Sequence, residues 1–228
     1  MEIMTNYLDE TTFITLKNNK GMTVILSTSG AGIYEISIDG TPMTKGPKDQ
    51  KEWMNAASYA GKTVGRYCGR IRDGILDFEG KRYQLPKNEG EKTFLHGGDN
   101  RLPYGEWEYS LITYPNAIGV EFNKEDKDSA FPGNIKVKVT YILYKEENVL
   151  RLQYSTTSDE RTPVSLTSHT FFSLGAKHLD ETRVLLRAKE VGLYDELLNL
   201  EKWRTNPEYL DFSTWKSFKA RASDSVFQ

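Results

Sequence analysis

A histidine and two arginines have the residue types and surroundings that acid–base chemistry on a neutral polar ligand needs. His96 is followed by two glycines, which let the backbone approach a ligand closely and leave the imidazole accessible. Upstream, the segment 65–71 carries Arg66 and Arg70, whose guanidinium groups stay charged and present several donors in a fixed geometry. This combination suits a neutral ligand rich in hydroxyl groups, although an isolated His-Gly-Gly is more often a turn between strands.

The other reactive residue types give weaker signals. His96, His169 and His178 lack the short spacings, such as HxH or HxxxH, that mark metal sites, so we expect no metal and no cofactor. Cys68 is the single cysteine, which excludes an intrachain disulfide and fits a reducing compartment. Its arginine neighbours could activate a thiolate, but a small packed residue is the preferred interpretation.

Composition limits the partners. Lys and Arg number 30 and Asp and Glu 32, giving a net charge of −2, which offers no electrostatic reason to expect nucleic acid or an acidic membrane surface. The polar N-terminus has no secretory signal pattern, and no apolar run approaches the length of a membrane span. We expect a soluble cytoplasmic protein whose partner is a small molecule. The oligomeric state is not predictable from the sequence.

The elements that must position these residues are strands. Short alternating runs end at Gly, Asn or Asp, as at Asp39-Gly40 and Glu79-Gly80, which is typical of strands joined by tight turns. The sequence predicts strands at 11–16, 22–27, 33–38, 75–78, 82–85, 107–111, 117–122, 134–144 and 149–156.

One strand is especially clear, and helices are scarce. Residues 135–144 alternate over ten positions, which predicts a half-buried antiparallel strand with its apolar residues on one face. The best helical candidate is 49–60. Without repeats, low-complexity tracts or a linker, we expect an all-β antiparallel sandwich with few short helices. We expect this sandwich to form a single domain over 1–228.

Three motifs in order resemble the aldose 1-epimerase (galactose mutarotase) family. The first runs from Gly65 to Ile71 and on to Leu95-His96-Gly97-Gly98. The second is Phe131-Pro132-Gly133-Asn134 before the long alternating strand, and the third is the block 162–174, which contains His169 and resembles the family's NHxYFNL ending. The resemblance covers about residues 10–228 and implies a mutarotase-type β-supersandwich that interconverts anomers of free aldohexoses.

The resemblance also implies residue roles. His169 maps onto the family's catalytic acid, and a histidine near neutral pKa can act as acid in one direction and base in the other. His96 maps onto the histidine that contacts the ring oxygen and neighbouring hydroxyls. Arg70 maps onto the arginine that orients the sugar, with Arg66 as the alternative assignment. Asp224, in Asp224-Ser225-Val226-Phe227, resembles the aspartate that binds sugar hydroxyls.

The sequence departs from the family pattern at several positions. Gly69, Ser168 and Ser173 stand where the family has asparagines, so support for His169 is expected to differ, because serine offers one donor where an amide offers two. The family's general-base glutamate lies beyond the aspartate segment, so we expect this sequence to be incomplete at its C-terminal end and to lack that base. Asp195 and Glu196 match a family segment with a mainly structural role.

Two further functions stay open. A non-catalytic carbohydrate-binding or sensing module would keep Arg70, His96 and Asp224 and lack the base. A hexose-phosphate mutarotase would use extra cations for the phosphate, and Lys62, Arg66 and Arg72 flank the first motif. The sequence does not distinguish galactose from glucose, because that choice depends on one hydroxyl contact in the folded pocket.

Overall fold

The computed structural model describes residues 1–55, 59–98, 102–127 and 129–217. The chain divides into two compact units, Met1–Phe172 and Ser173–Gln228. Strands are the main regular secondary structure in the described residues of both units, which confirms the predicted all-β class. No helix in these residues is long and apolar enough to cross a membrane.

The first unit begins with an antiparallel sheet whose strands are paired in sequence order. These strands are β1 (Glu2–Leu8), β2 (Thr11–Lys17), β3 (Met22–Ser27), β4 (Gly32–Ile38) and β5 (Thr41–Pro42). Asp39 and Gly40 both have positive φ, the geometry that a tight hairpin turn requires. β1 was not predicted, because its side chains are mostly exposed and its apolar residues do not alternate with polar ones.

Short elements follow, and several of them carry the chemistry described below. They are β6 (Thr44–Lys45), α1 (Gln50–Asn55), β7 (Thr63–Val64), β8 (Arg70–Arg72), β9 (Ile75–Phe78), β10 (Lys81–Gln84) and β11 (Thr93–Leu95). The helix is shorter than the predicted 49–60. Its start is capped by Asp49, whose Oδ1 accepts a hydrogen bond from the N–H of Glu52 at 2.8 Å.

Four longer strands form the second large sheet, again paired in sequence order. They are β12 (Glu108–Tyr114), β13 (Ala117–Asp126), β14 (Ile135–Tyr144) and β15 (Leu150–Ser158). In β14 the apolar positions Ile135, Val137, Val139 and Tyr141 are at most 1% exposed while the residues between them face outward. The predicted half-buried strand is therefore confirmed.

The two large sheets pack face to face on a common core. Ile14 and Leu26 of the first sheet and Val120 and Val139 of the second belong to one buried cluster. The hydroxyl of Tyr141 donates to the carbonyl of Ala31 across the core at 3.0 Å, which satisfies a buried polar group. This packing confirms the predicted antiparallel sandwich.

Two short strands end the first unit, and each pairs with a segment from far upstream. β16 (Thr167–Ser168) lies beside β7, and β17 (Phe171–Phe172) lies beside β6. These pairings bring the segment around His169 next to residues 61–64.

The second unit contains strand pairs with short 3-10 turns. Its strands are β18 (Arg183–Val184), β19 (Glu190–Tyr194), β20 (Leu200–Thr205) and β21 (Lys216–Ser217), with β18 paired to β21 and β19 to β20. Asp195, between β19 and β20, accepts hydrogen bonds from the N–H groups of Leu197 and Asn199 at 2.9 and 2.8 Å. This contact agrees with the structural role expected for that segment.

Candidate active site

His96 follows β11 directly and is held by main-chain contacts. Leu95 lies opposite Arg70 in the β8–β11 pair. The side chain of Asn88 contacts both backbone groups of Leu95, accepting from its N–H at 2.7 Å and donating to its carbonyl at 3.1 Å. His96 itself has a φ of +52°, a left-handed conformation that non-glycine residues rarely adopt and that is enriched at functional sites.

The glycine after His96 lets two loops touch. Gly97 has a φ of +92°, and a Cβ built on it would lie 1.8 Å from the carbonyl oxygen of Gly65. No residue with a side chain fits there without moving the backbone. The His-Gly-Gly loop therefore lies against the segment that carries both arginines.

His169 is placed by backbone pairing with the residues before β7. Its N–H donates to the carbonyl of Lys62 at 2.9 Å, and its carbonyl accepts from the N–H of Gly61 at 2.8 Å. Ser168, where the family pattern has asparagine, forms a 2.7 Å hydrogen bond with the hydroxyl of Thr170. The position of His169 is thus fixed by main-chain hydrogen bonds on both of its backbone groups.

The imidazole rings of His96 and His169 lie close together. Their ring centroids lie 5.2 Å apart with the planes nearly perpendicular. Tyr59 contacts both rings, with centroids 4.8 Å from His96 and 6.1 Å from His169. The ring centroid of Phe171 lies 5.2 Å from that of His169, and Phe171 is half-exposed. Exposed aromatic faces beside polar groups suit the C–H faces of a sugar ring.

The hydrogen bonding of His96 fixes its tautomer. Gly69 N–H donates to Nδ1 of His96 at 3.1 Å, so the proton of the neutral imidazole is on Nε2. Burial, with smaller effects from the charges of His169 and Arg70, lowers the pKa of His96 to about 4, and Glu89 opposes this shift. At neutral pH His96 is therefore an uncharged hydrogen-bond donor at Nε2.

Arg70 is held by a carboxylate beside His96. Its Nε and Nη2 atoms donate to the two carboxylate oxygens of Glu89, each at 2.6 Å, the bidentate geometry of a strong charge-assisted pair. Arg70 lowers the pKa of Glu89 through these hydrogen bonds. Both side chains remain partly exposed, at 25% and 36%, so the pair borders solvent.

Arg66, the alternative assignment, has a different environment. It is 0% exposed, and its guanidinium donates to Asp126 at 2.8 Å and to the carbonyl of Gly133 at 2.8 Å. Lys62 is also buried, at 2% exposure, with its Nζ near the rings of Trp53 and Tyr104. Two of the three cations considered for a phosphate are therefore enclosed by protein, while Arg72 is exposed.

The remaining candidates lie elsewhere or outside the described residues. Asp224 falls in the part of the chain that the structure does not describe. His178 is an exposed residue at a 3-10 turn of the second unit. Burial raises the pKa of the Cys68 thiol, which disfavours a reactive thiolate. Across the described ranges, no group of three His, Cys, Asp or Glu side chains is arranged to hold a metal.

A cavity of about 690 Å³ lies apart from the histidines, on the four-stranded sheet. Two of its three lysines form ion pairs, Lys136 with Glu125 at 3.2 Å and Lys138 with Glu121 at 3.0 Å, and the Nζ of Lys124 donates to the carbonyl of Tyr104. Carboxylates and lysines line this cavity but no histidine does, so we place the candidate site at the two imidazoles.

Tyr59 and Glu89 contact the site residues but were not predicted from the sequence. Tyr59 had a weak signal, an aromatic residue two positions before a glycine in the first motif region. Glu89 lies in a polar turn between Asn88 and Gly90, where charged residues are ordinarily solvent-facing. The contact of Glu89 with Arg70 depends on the pairing of β8 with β11, and that of Tyr59 with His169 on the pairing of β7 with β16.

Comparison with known proteins identifies the family of the chain. The family model described as aldose 1-epimerase matches residues 12–228. The aldose 1-epimerase of Escherichia coli K12 is 31% identical over 174 residues, which cover 73% of this chain and 49% of that protein. The galactose mutarotase of Sus scrofa is 33% identical over 153 residues, covering 65% and 43%. The chain thus spans about half the length of these curated relatives.

Solved structures show the same fold. The galactose 1-epimerase of Lactobacillus acidophilus NCFM superposes with a TM-score of 0.89 at 24% identity, covering 98% of this chain and 68% of that one. An aldose epimerase homologue from C. elegans gives 0.83 at 29% identity, covering 93% and 67%. With the family match over nearly the whole sequence, the chain belongs to the aldose 1-epimerase family.

Proposed function

We propose that the protein interconverts the α and β anomers of free aldohexoses such as galactose or glucose. The observation that carries this proposal is the 5.2 Å approach of the His96 and His169 rings beside the guanidinium of Arg70. Two imidazoles this close together can both act on the ring oxygen of the sugar, one as a hydrogen-bond donor and one as a proton donor.

Anomer exchange requires the ring to open and close. The anomeric hydroxyl loses its proton, the bond between C1 and the ring oxygen breaks, and the ring oxygen gains a proton, which leaves an aldehyde at C1. Rotation about the C1–C2 bond and the reverse steps give the other anomer. The same proton donor must then act as acceptor, a role that histidine performs near neutral pH.

The proposed residue roles combine the family resemblance with the contacts of each side chain. We assign His169 as the acid that protonates the ring oxygen. His96, held neutral with its proton on Nε2, donates a hydrogen bond to the ring oxygen or an adjacent hydroxyl. Arg70 orients the sugar hydroxyls, and Asp224 is proposed as a further hydroxyl acceptor. Among the described residues we assign no group that accepts the anomeric proton.

The test uses the complete encoded protein with fresh α-D-galactose and α-D-glucose, followed by polarimetry and by NMR of anomer exchange. His169→Ala should reduce the rate by a factor of roughly 10²–10⁴, the usual contribution of an acid–base group. His96→Ala should also reduce it. His178→Ala is the matched control, because that histidine is exposed in the second unit.

Each outcome is informative. A near-normal rate in the His169→Ala protein would reject its assignment as the acid. Sugar binding by calorimetry without anomer exchange in the unaltered protein would favour the carbohydrate-binding alternative. Exchange of hexose phosphates in preference to free hexoses would favour the phosphate-specific alternative.

A further inference from the structure

The backbone of Glu89 is fixed by hydrogen bonds that do not involve Arg70. Its backbone belongs to a tight hairpin in which its N–H donates to the carbonyl of Thr93 at 3.1 Å and its carbonyl accepts from the N–H groups of Lys92 and Thr93 at 3.2 Å. A side chain on such a fixed backbone loses less conformational entropy when it forms an ion pair than one on a mobile loop.

Arg70 is equally constrained. It is the first residue of β8, opposite Leu95 in the pair with β11, and Leu95 directly precedes His96. The two 2.6 Å hydrogen bonds to Glu89 fix the plane of the guanidinium, because a bidentate pair permits little rotation. Glu89 therefore restricts the orientation of the Arg70 guanidinium.

Glu89 also acts on His96 through its charge. The ionisable groups that face His96 are His169, Arg70 and Glu89, together with the phenol of Tyr59, whose ring lies 4.8 Å away. Arg70 and His169 disfavour a proton on His96, and Glu89 favours it. The carboxylate thus offsets part of the positive charge that Arg70 places beside the imidazole.

We propose that Glu89 is a positioning residue of this site, which orients the Arg70 guanidinium toward the sugar and moderates the electrostatic effect of Arg70 on His96. The part that concerns sugar depends on the proposed function. The part that concerns Arg70 and His96 does not, so the two can be tested separately.

The first experiment needs no sugar. In the complete protein labelled with ¹⁵N, the titration of His96 is followed by NMR from about pH 7 downward. Glu89→Gln should lower the His96 pKa further, because the carboxylate that raises it is gone. Arg70→Gln should raise it, because the cation that lowers it is gone. The ¹⁵Nε signal of Arg70 should broaden or shift in Glu89→Gln.

These opposite shifts separate positioning from a general loosening of the structure. If Glu89 only supported the local fold, its replacement would expose His96 to water and move the pKa upward toward the ordinary value of about 6.5. An upward shift in Glu89→Gln, or an unchanged Arg70 signal, would overturn the proposal.

The second experiment measures anomer exchange. Glu89→Gln should raise KM more than it lowers kcat, with kcat/KM falling by up to about 100-fold, the effect of a displaced positioning group. Glu89→Asp keeps the charge but is one methylene shorter, so it should retain the His96 pKa and still raise KM. Asp77→Asn is the matched control, since Asp77 forms the same bidentate pair with Arg82 at 2.7 and 2.8 Å on the exposed β9–β10 hairpin.

The outcomes distinguish the two proposals. If the unaltered protein exchanges no aldohexose anomers, the proposed function fails while the sugar-free titrations still decide the role of Glu89. If the unaltered protein is active and Glu89→Gln matches Asp77→Asn in KM and kcat, the positioning of the sugar by Glu89 is rejected.

Discussion

Two arginines four positions apart in the same glycine-rich segment have opposite roles. Arg66 is 0% exposed and donates to the carboxylate of Asp126, to three backbone carbonyls and to the hydroxyl of Thr162. Arg70 pairs with Glu89 at the edge of the histidine site, where both side chains meet solvent. The first joins distant segments of the sandwich, and we propose that the second contacts the sugar.

The difference in burial explains why one arginine supports the fold and the other is available to a ligand. An enclosed ion pair leaves a costly uncompensated charge when one partner is removed, so Arg66 is bound to the fold. A partly exposed pair contributes little to stability because water can replace either partner, so Arg70 can be dedicated to a ligand. The following predictions test that contrast in order of expected effect.

The largest effect is expected at Arg66. Arg66→Met should lower the free energy of unfolding by about 3–5 kcal/mol, because the Asp126 carboxylate stays buried without the charge of the Arg66 guanidinium. Denaturant unfolding of the complete protein measures this loss. The double variant Arg66→Met with Asp126→Leu should recover much of it, and a single variant as stable as the unaltered protein would contradict the contrast.

An intermediate effect is expected from the pH dependence of His96. Its folded pKa of about 4 lies below the ordinary value of 6.5, so in acid the unfolded chain gains this proton before the folded chain does. Between about pH 6.5 and 4 the folded state should therefore lose at most about 3 kcal/mol through this group. The measurement is the free energy of unfolding against pH.

The control for that measurement is His96→Gln, which removes the titration and keeps a polar side chain beside Gly69. Its stability should fall less steeply over the same pH interval. Parallel curves for the two proteins would show that folding does not lower the pKa of His96.

The smallest effect on stability is expected at Arg70. Arg70→Gln should change the free energy of unfolding by less than about 1 kcal/mol, as for other partly exposed pairs. It should nonetheless reduce kcat/KM for anomer exchange by about 10–100-fold, the loss of charge-assisted hydrogen bonds to the sugar. A stability loss as large as that of Arg66→Met would remove the distinction between the two arginines.

Much of the fold could be predicted from sequence, and the reason lies in its long strands. β14 alternates so regularly that its buried face could be predicted residue by residue, because one face of a half-buried strand must be apolar. The turns at Asp39-Gly40 and Glu79-Gly80 were predictable from residue types that tolerate positive φ. β1 was not, because its exposed side chains are under no such constraint.

The site was predictable only in part. His96 and His169 were identified through motif resemblance, but their contact depends on the pairing of β16 with β7, and short two-residue strands leave no periodic signal. The resemblance favoured Arg70 over Arg66, although both have glycine neighbours and identical chemistry. The burial of Arg66 supports that assignment, and this burial could not be predicted from the sequence.

The backbone attachment of His169 has a consequence for how the protein acquires its chemistry. The carbonyl and N–H of His169 are bound to Gly61 and Lys62, a contact between segments far apart along the chain. Pairings of this kind close long loops and form slowly, after local hairpins. A chain that has completed the hairpins of β12–β15 would therefore already have much strand structure and still lack a second imidazole beside His96. Recovery of anomer exchange during refolding should accordingly lag behind the far-ultraviolet signal of the sheets.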